Sequence, residues 1–386
     1  MYQRMRNDKY YRRFYFQDSF YVQCQDIDSL SLIQFDRSVE QVKKIICHPV
    51  FKRAKKIIAA GCGDSNISSF AVKGAFEYYL PDVEYKGVEA IELSRHYDFE
   101  ENESDTVALF VSKSGYVLRT IEALEQCRRH GVTTVAVTDG KDSETAKKAD
   151  ILYYENTPKG DNNAGLRTYY VSIISLIILA AAMAEIRTGE SKLEELKVQV
   201  IKYHDAFFRE FEKISDFCFI TAIHWMDKEY FSFIADGPLF WSGKFIQAKM
   251  AELSGDVCAV SDSENYRNTN YMMGSEGKVG EIILLNSYET NISQVTEIAN
   301  AMIKTGKREV ILFSDREPKE LDISEYVQYC HVPFPEEKWN FLAPLYVYLP
   351  GAIFAGFRHT TIGEPMFRGG FDPLIFAPTY YSPIDI

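Results

Sequence analysis

The sequence predicts an α/β protein made of two tandem three-layer α/β/α domains with parallel sheets. Short apolar segments alternate with helical patterns along most of the chain, which is typical of βαβ units. At 386 residues, 46% of them hydrophobic, the chain is long enough to form two cores. Three turns recur at offsets of 173 to 176 residues: Gly63 with Gly237, Ser114 with Ser287, and Asp139 with Asp315. This recurrence indicates a duplicated domain.

Five strands and four helices are predicted in the first half. Apolar runs bounded by turn residues predict the strands, which span residues 56–60, 85–91, 107–111, 133–137 and 151–154. Apolar residues at three- and four-residue spacing predict the helices, which span residues 37–51, 65–79, 117–130 and 167–186. The run from Val171 to Ala184 has only 14 residues, whereas a membrane span needs about 20, so it predicts a core helix.

The second half repeats the alternation after a charged helical segment over residues 190–213. Its predicted strands span residues 231–235, 281–285, 309–313 and 327–332. The predicted organisation is therefore an N-terminal tail (1–36), a first domain (37–189), a connecting helix (190–214), a second domain (215–357) and a C-terminal tail (358–386).

Composition excludes several classes of protein. The formal net charge of -12 disfavours nonspecific nucleic-acid binding and attachment to anionic membranes, so an anionic ligand needs a local pocket. Seven scattered cysteines without a CxxC pair fit a reducing cytoplasm, and the N-terminus lacks the apolar run of a signal peptide. No HExxH, paired CxxC or EF-hand pattern is present, so we expect neither a metal nor a cofactor.

A serine-rich loop follows the predicted central strand. Residues 112–115, which we call the serine loop, read Ser-Lys-Ser-Gly and lead directly into a helix. Backbone N–H groups at a helix start, the helix dipole and two hydroxyls favour a bound oxyanion, Gly115 permits close approach, and Lys113 adds positive charge. An ordinary strand-to-helix connection is the alternative.

A second turn has glycines and a hydroxyl. Residues 61–65, the glycine turn, read Gly-Cys-Gly-Asp-Ser after the first strand. They match half of a dinucleotide fingerprint, but the third glycine is missing, which disfavours a Rossmann dehydrogenase. In the second copy Tyr288 stands where Gly115 stands in the first, which would crowd an anion. We therefore expect the anion in the first copy only.

These two turns resemble those of the double sugar-isomerase (SIS) domain family, which includes the isomerase half of glucosamine-6-phosphate synthase and the fructosamine-6-phosphate deglycases. The resemblance implies a sugar phosphate held by Gly63, Asp64, Ser65, Ser112, Lys113, Ser114, Gly115 and Thr120. Val117 replaces a family threonine, and Arg167 before the long helix is a further phosphate partner. Family members generally form homodimers that complete the site, so the resemblance also implies a homodimer.

Residues 247–254 resemble the catalytic helix of that family. There a glutamate moves a proton between sugar carbons one and two, and a lysine contacts the sugar; the matching residues are Glu252 and Lys249. Their i,i+3 spacing places both on one helix face. A solvated ion pair on a helix surface is the alternative.

The family histidine that opens the sugar ring has no match. Glu264 and Arg267 fall in the corresponding stretch, and His359 is a possible substitute, although a guanidinium cannot shuttle protons at neutral pH. The resemblance thus predicts a cofactor-free cytoplasmic enzyme acting on a phosphorylated sugar or amino sugar. Isomerase, deglycase and a sugar-phosphate sensor without catalysis all stay open.

Overall fold

The computed structural model of the chain describes residues 19–100, 103–159, 164–274, 277–304, 307–364 and 366. These residues form two compact units. The first unit comprises residues 29–159 and 165–201, and the second comprises residues 19–28, residue 164 and those from 202 to 366. Most of the two predicted tails lies outside the described residues.

The first unit is built on a five-stranded parallel sheet in the order β2-β1-β3-β4-β5. Its strands are β1 (Lys56–Gly61), β2 (Glu84–Glu89), β3 (Thr106–Val111), β4 (Thr133–Thr138) and β5 (Ile151–Tyr154). The described chain up to residue 224 contains the helices α1 (Ser19–Ile45), α2 (Pro49–Arg53), α3 (Asp64–Ala71), α4 (Lys73–Tyr79), α5 (Ala90–Arg95), α6 (Leu118–Arg129), α7 (Glu144–Lys148), α8 (Arg167–Thr188) and α9 (Leu193–His224). The strand order reverses between β1 and β3, where ligands usually bind in such sheets.

The second unit contains another five-stranded parallel sheet, in the order β10-β9-β8-β6-β7. Its strands are β6 (Tyr230–Ala235), β7 (Val257–Ser261), β8 (Val279–Leu285), β9 (Glu309–Ser314) and β10 (Gln328–His331). The helices are α10 (Pro238–Ser254), α11 (Ser263–Asn268), α12 (Ile292–Lys304) and α13 (Leu349–Ile362), with 3-10 segments Asn270–Met272, Pro318–Glu320 and Glu337–Leu345. Started from β7, the strand order matches that of the first unit, which confirms two parallel sheets of one topology.

All nine predicted strands are present, with bounds within two residues of those predicted. The strand β7 was missed, although Val257 to Val260 form a short apolar run. It is a five-residue edge strand that begins soon after α10 and pairs with β6, and Val257 at its start is 56% exposed. The second predicted strand ends at Glu89 rather than at residue 91, because Ala90 already begins α5.

Two predicted helices differ from the structure. The helix expected from Arg37 already includes Ser19, so residues 19–36 are helical rather than a tail. Most of their apolar residues are buried at helical spacing, whereas Leu32 and Ile33 are exposed. It ends at Ile45, and Pro49, which lacks a backbone N–H, begins a separate helix. The helix predicted over residues 65–79 is likewise interrupted at Val72.

The apolar helix α8 is part of the core. Every residue from Val171 to Ala184 is buried, which confirms the predicted core helix. Arg167–Thr188 and the segment Glu337–Ile362 are long and apolar enough to cross a membrane by composition, but 89% and 94% of their apolar windows are buried within the protein.

Candidate functional site

The glycine turn and the serine loop lie side by side at the carboxyl edge of the first sheet. A Cβ atom placed on Gly61, which ends β1, would lie 2.8 Å from the carbonyl oxygen of Val111, which ends β3. Cys62 Sγ and Thr120 Oγ1 are 3.6 Å apart, so the turn also contacts the first turn of α6. Thr120 is fully buried, and its hydroxyl contacts this sulfur in the structure.

Both hydroxyls of the serine loop already hold the loop's own backbone. Ser112 Oγ accepts from the Gly115 N–H at 3.2 Å, and Ser114 Oγ accepts from the Tyr116 N–H at 3.3 Å. Each hydroxyl keeps its proton for donation to a ligand. Ser112 is buried and Ser114 is exposed. The loop is therefore folded before a ligand arrives, with Ser114 on its outer side.

Position 115 requires a glycine because of both its backbone conformation and the atoms that surround it. Its φ is +70°, in the left-handed region. A Cβ atom there would lie 2.0 Å from Ser143 Oγ and 3.2 Å from Thr138 Oγ1. Its carbonyl accepts from the Thr145 N–H at 3.0 Å and from the Thr145 hydroxyl at 2.8 Å. This packing fixes the loop against the end of β4 and the start of α7.

Lys113 places a positive charge at the serine loop, as the sequence suggested, and this charge has a partner. The half-exposed ammonium forms an ion pair with Asp139, which follows β4. Asp139 also accepts from the Thr157 N–H at 2.8 Å through its other oxygen. An incoming anion therefore competes with Asp139 for the lysine.

The glycine turn also lies against the start of α8. A Cβ atom on Gly165 would lie 2.8 Å from Asp64 Oδ2 and 3.3 Å from Thr168 Oγ1. Gly63 has a φ of +58°, and Asp64 begins α3 directly after it. Arg167 begins α8, and its Nη2 lies 3.5 Å from the Pro158 carbonyl oxygen.

Ser65 completes this set of neighbours. It is half-buried in the first turn of α3, and its carbonyl accepts from the hydroxyls of Ser68 and Ser69 at 2.9 Å. The first unit thus gathers the predicted phosphate-binding residues from the ends of β1 and β3 and from the start of α8.

In the second unit, Lys249 and Glu252 share one face of α10 as predicted. Lys249 Nζ lies 2.6 Å from Glu252 Oε2 and 5.0 Å from the centre of the Phe245 ring. The Lys249 side chain is fully buried, whereas 32% of the Glu252 side chain is exposed. A solvated surface pair would expose the lysine, so that alternative does not describe this pair.

The three possible substitutes for the family histidine have other contacts. Glu264 is exposed on α11 and accepts from Gln294 Nε2 at 2.7 Å. Arg267 pairs with Glu297 at 3.4 Å. His359 is buried in α13, with Nδ1 at 3.0 Å from the Glu364 carbonyl oxygen. Their catalytic roles stay predictions.

Comparison with known proteins finds a family similarity in the first unit. The family model described as "SIS domain" matches residues 50–182. We refer to this matched segment as the SIS domain. Glutamine–fructose-6-phosphate aminotransferase (isomerizing) of Saccharomyces cerevisiae is 27% identical to this chain over 158 residues, which are 40% of this chain and 21% of that protein. The chain therefore spans about a fifth of the length of the curated relatives it matches.

Solved structures extend the fold beyond the SIS domain to both units. The C-terminal domain of glucosamine-fructose-6-phosphate aminotransferase from Francisella tularensis superposes with a TM-score of 0.72 at 15% identity, covering 86% of this chain and 96% of that one. Tagatose-6-phosphate ketose/aldose isomerase from Escherichia coli gives 0.69 at 10% identity, covering 92% and 96%. Both units therefore have the tandem SIS-type α/β fold that the sequence predicted.

The first turn of the second unit has an acid where the glycine turn has a cysteine. Asp236 stands at the position of Cys62, and its carboxylate accepts from the Ser263 N–H at 2.9 Å and from Asn291 Nδ2 at 2.8 Å. Ser287, the counterpart of Ser114, donates its hydroxyl to Asp315 Oδ2 at 2.8 Å. Burial raises the pKa of Asp315 above its usual value. These carboxylates oppose a bound anion, in addition to the crowding expected from Tyr288.

One buried residue of the SIS domain was not predicted from the sequence as a site residue. Glu155 directly follows β5 and is fully buried, and its Oε1 accepts from the Ser172 hydroxyl at 2.7 Å. Burial, together with the nearby Asp139 carboxylate, raises the pKa of Glu155 to about 8. The sequence contains one indication of this residue: a glutamate directly follows the apolar run of β5, and that strand ends at the same sheet edge as the glycine turn and the serine loop.

Proposed function

We propose that the protein is a cofactor-free enzyme that acts on a phosphorylated sugar or amino sugar, either as an isomerase or as a fructosamine-6-phosphate deglycase. The observation that carries this proposal is the ion pair on α10, because it places a buried ammonium against a partly exposed carboxylate. Burying Lys249 costs free energy unless the charge is compensated. Such an arrangement favours a functional role over surface solubility.

In the proposed reaction, Glu252 removes a proton from the carbon next to the carbonyl and returns it to the neighbouring carbon. The electron pair released from the C–H bond forms the enediol or enolamine, so no external oxidant is required. Lys249 holds the carboxylate in one position through the 2.6 Å contact, and the Phe245 ring helps to exclude water from the lysine.

The phosphate is proposed to bind in the SIS domain. Ser65, Ser112, Ser114 and Thr120 supply hydroxyls, and Lys113 supplies charge once it leaves Asp139. The hydroxyl of Thr120 must leave the Cys62 sulfur to take part. The homodimer and the cytoplasmic location also belong to this proposal, and they are supported by the family resemblance and the cysteine pattern.

A sugar-phosphate sensor without catalysis is the second candidate. It is favoured by the contacts of Glu264, Arg267 and His359, which bond to the protein's own groups rather than presenting a ring-opening acid. The buried Lys249 of α10 argues against the sensor, because it holds the Glu252 carboxylate in position and a sensor does not need a positioned base.

Proton exchange separates the two candidates. The wild-type protein is incubated in heavy water with fructose 6-phosphate, glucosamine 6-phosphate and fructosamine 6-phosphates. NMR follows deuterium entry at carbon one of the ketoses and at carbon two of glucosamine 6-phosphate. We expect exchange with at least one substrate and a loss of 10²-fold or more in Glu252→Gln, with binding retained. The matched control is Glu320→Gln, an exposed glutamate of the second unit. Binding without exchange across the panel supports the sensor and rejects the enzyme.

A further inference from the structure

Glu155 has one carboxyl oxygen without a partner. Its Oε1 accepts from the Ser172 hydroxyl, and Oε2 is buried and makes no hydrogen bond within the described residues. The backbone on either side is fixed, because the Glu155 N–H donates to the Thr138 carbonyl at 3.0 Å and its carbonyl accepts from Gln34 Nε2 at 2.8 Å. The carboxyl is therefore held at the carboxyl edge of the sheet, away from bulk solvent.

Charged groups surround this carboxyl on the side of the serine loop. The Asp139 carboxylate after β4 disfavours its ionisation, and the Lys113 ammonium after β3 favours it. From α1, Arg37 Nη1 lies 3.3 Å from the carbonyl of the next residue, Asn156. From α8, the facing group is the neutral Ser172 hydroxyl. Lys113 and Asp139 form an ion pair in this structure, so the two opposing charges lie together.

Binding of an anion at the serine loop disturbs this balance. Lys113 is half-exposed and is the cation of the loop itself, so a dianionic phosphate draws it away from Asp139. Asp139 then loses its counter-charge next to a buried carboxyl. Two neighbouring carboxylates in a buried setting cannot both be ionised without a large cost, so one of them has to carry a proton.

We propose that Glu155 is a positioning residue for the anion site: only its protonated form allows Lys113 to leave Asp139 and bind the phosphate of the ligand. The inference rests on the proposed phosphate site in the serine loop. Glu155 does not contact the phosphate; it acts through Asp139 and Lys113.

The proposal fixes the sign of the pH dependence. If the bound state requires the proton, anion binding takes up a proton wherever Glu155 is partly ionised in the ligand-free protein, which is near and above pH 8. The affinity for a dianion then falls by about tenfold between pH 7 and pH 9. A phosphate ester has a second pKa of about 6, so the ligand's own charge is constant over this interval.

The experiment measures the dissociation constant of fructose 6-phosphate at pH 7, 8 and 9 by calorimetry, with sulfate as an anion that does not titrate. The wild type is compared with Glu155→Gln, whose amide oxygen still accepts from Ser172 and which stays neutral at every pH. Glu125→Gln, which changes a partly exposed glutamate of α6 paired with Lys148, is the matched control. We expect the wild type and the control to lose about tenfold in affinity, and Glu155→Gln to change by less than twofold.

A second variant keeps the proposal testable if Glu155→Gln does not fold. Ser172→Ala keeps Glu155 but removes the hydrogen bond that favours its ionised form, so the loss of affinity should move to higher pH. The proposal is overturned if wild type and Glu155→Gln share one pH profile, or if Ser172→Ala leaves the profile in place. If neither probe binds the wild type at pH 7, the proposed phosphate site itself fails, and this inference fails with it.

Discussion

Replacing Gly115 with alanine tests whether the serine loop needs its observed packing. The residue has a φ of +70°, and the added Cβ would lie 2.0 Å from Ser143 Oγ and 2.5 Å from Ser143 Cβ. A left-handed alanine costs about 1–2 kcal/mol, and forcing an extra carbon into a packed site costs about 1–3 kcal/mol. We therefore expect Gly115→Ala to lower the free energy of unfolding by about 2–5 kcal/mol and to abolish fructose 6-phosphate binding.

Gly131 provides the matched control. It has a φ of +76°, but a Cβ atom there meets nothing within 4 Å. Gly131→Ala therefore carries only the conformational cost of about 1–2 kcal/mol. The difference between the two variants isolates the collision with Ser143. In the background of Ser143→Gly, which costs an N-cap only a few tenths of a kcal/mol, the excess cost of Gly115→Ala should largely disappear.

Urea unfolding followed by far-UV circular dichroism measures these differences. Tryptophan fluorescence would report on the wrong part of the chain, because Trp225, Trp241 and Trp339 all lie in the second unit. Equal destabilisation by Gly115→Ala and Gly131→Ala would refute the packing argument. Unchanged fructose 6-phosphate binding in Gly115→Ala would show that the ligand does not depend on the serine loop.

Three further predictions concern the buried Glu155, the buried Arg358–Asp256 ion pair and the number of anion sites. The neutral form of Glu155 stabilises the fold fully below its unfolded pKa, and this stabilisation is lost as pH rises towards 8. Urea unfolding across pH should show that the wild type loses about 4 kcal/mol between pH 4.5 and 8 through this group, whereas Glu155→Gln does not. Arg358→Met leaves the buried Asp256 without its 3.1 Å partner and should cost about 3–5 kcal/mol, seen as a lower Tm, whereas an unchanged Tm would contradict it. Calorimetric titration with fructose 6-phosphate should give one site per chain, and two sites would contradict the assignment of the anion to the SIS domain.

The strands could be predicted because most are buried on both faces. In β1 and β3 every residue is buried, so the apolar run and the strand coincide. In the edge strand β7 the apolar run has only four residues, and Val257 to Val260 are exposed or half-buried. The N-terminal extension of α1 was missed because polar residues such as Gln23, Ser31 and Gln34 occupy buried positions, which hides the helical period in the sequence.

The candidate site was predictable where chemistry is local. Ser112, Ser114 and Gly115 are consecutive or nearly so, and a loop between a strand and a helix already indicates an anion site. Contacts between distant residues were not accessible in this way. The pairing of Lys113 with Asp139 joins residues 26 positions apart, and the burial of Glu155 depends on packing from α1 and α8. Sequence patterns report residue types, whereas these effects depend on which strand ends become neighbours.

The two copies show that a shared fold does not by itself supply the residues of the proposed anion site. Gly63 and Gly237 have nearly the same conformation, with φ of 58° and 52° and ψ of -131° and -130°, so the backbone of the first turn is retained. The side chains around it are not. Asn286 stands where the SIS domain has Lys113, so the acid after the fourth strand lacks that cation and instead accepts the hydroxyl of Ser287. A serine that donates to a carboxylate is not available to an anion. Lys113 therefore favours the first copy as the place of the proposed phosphate site, whereas the proposed base, Glu252, lies on α10 of the other copy.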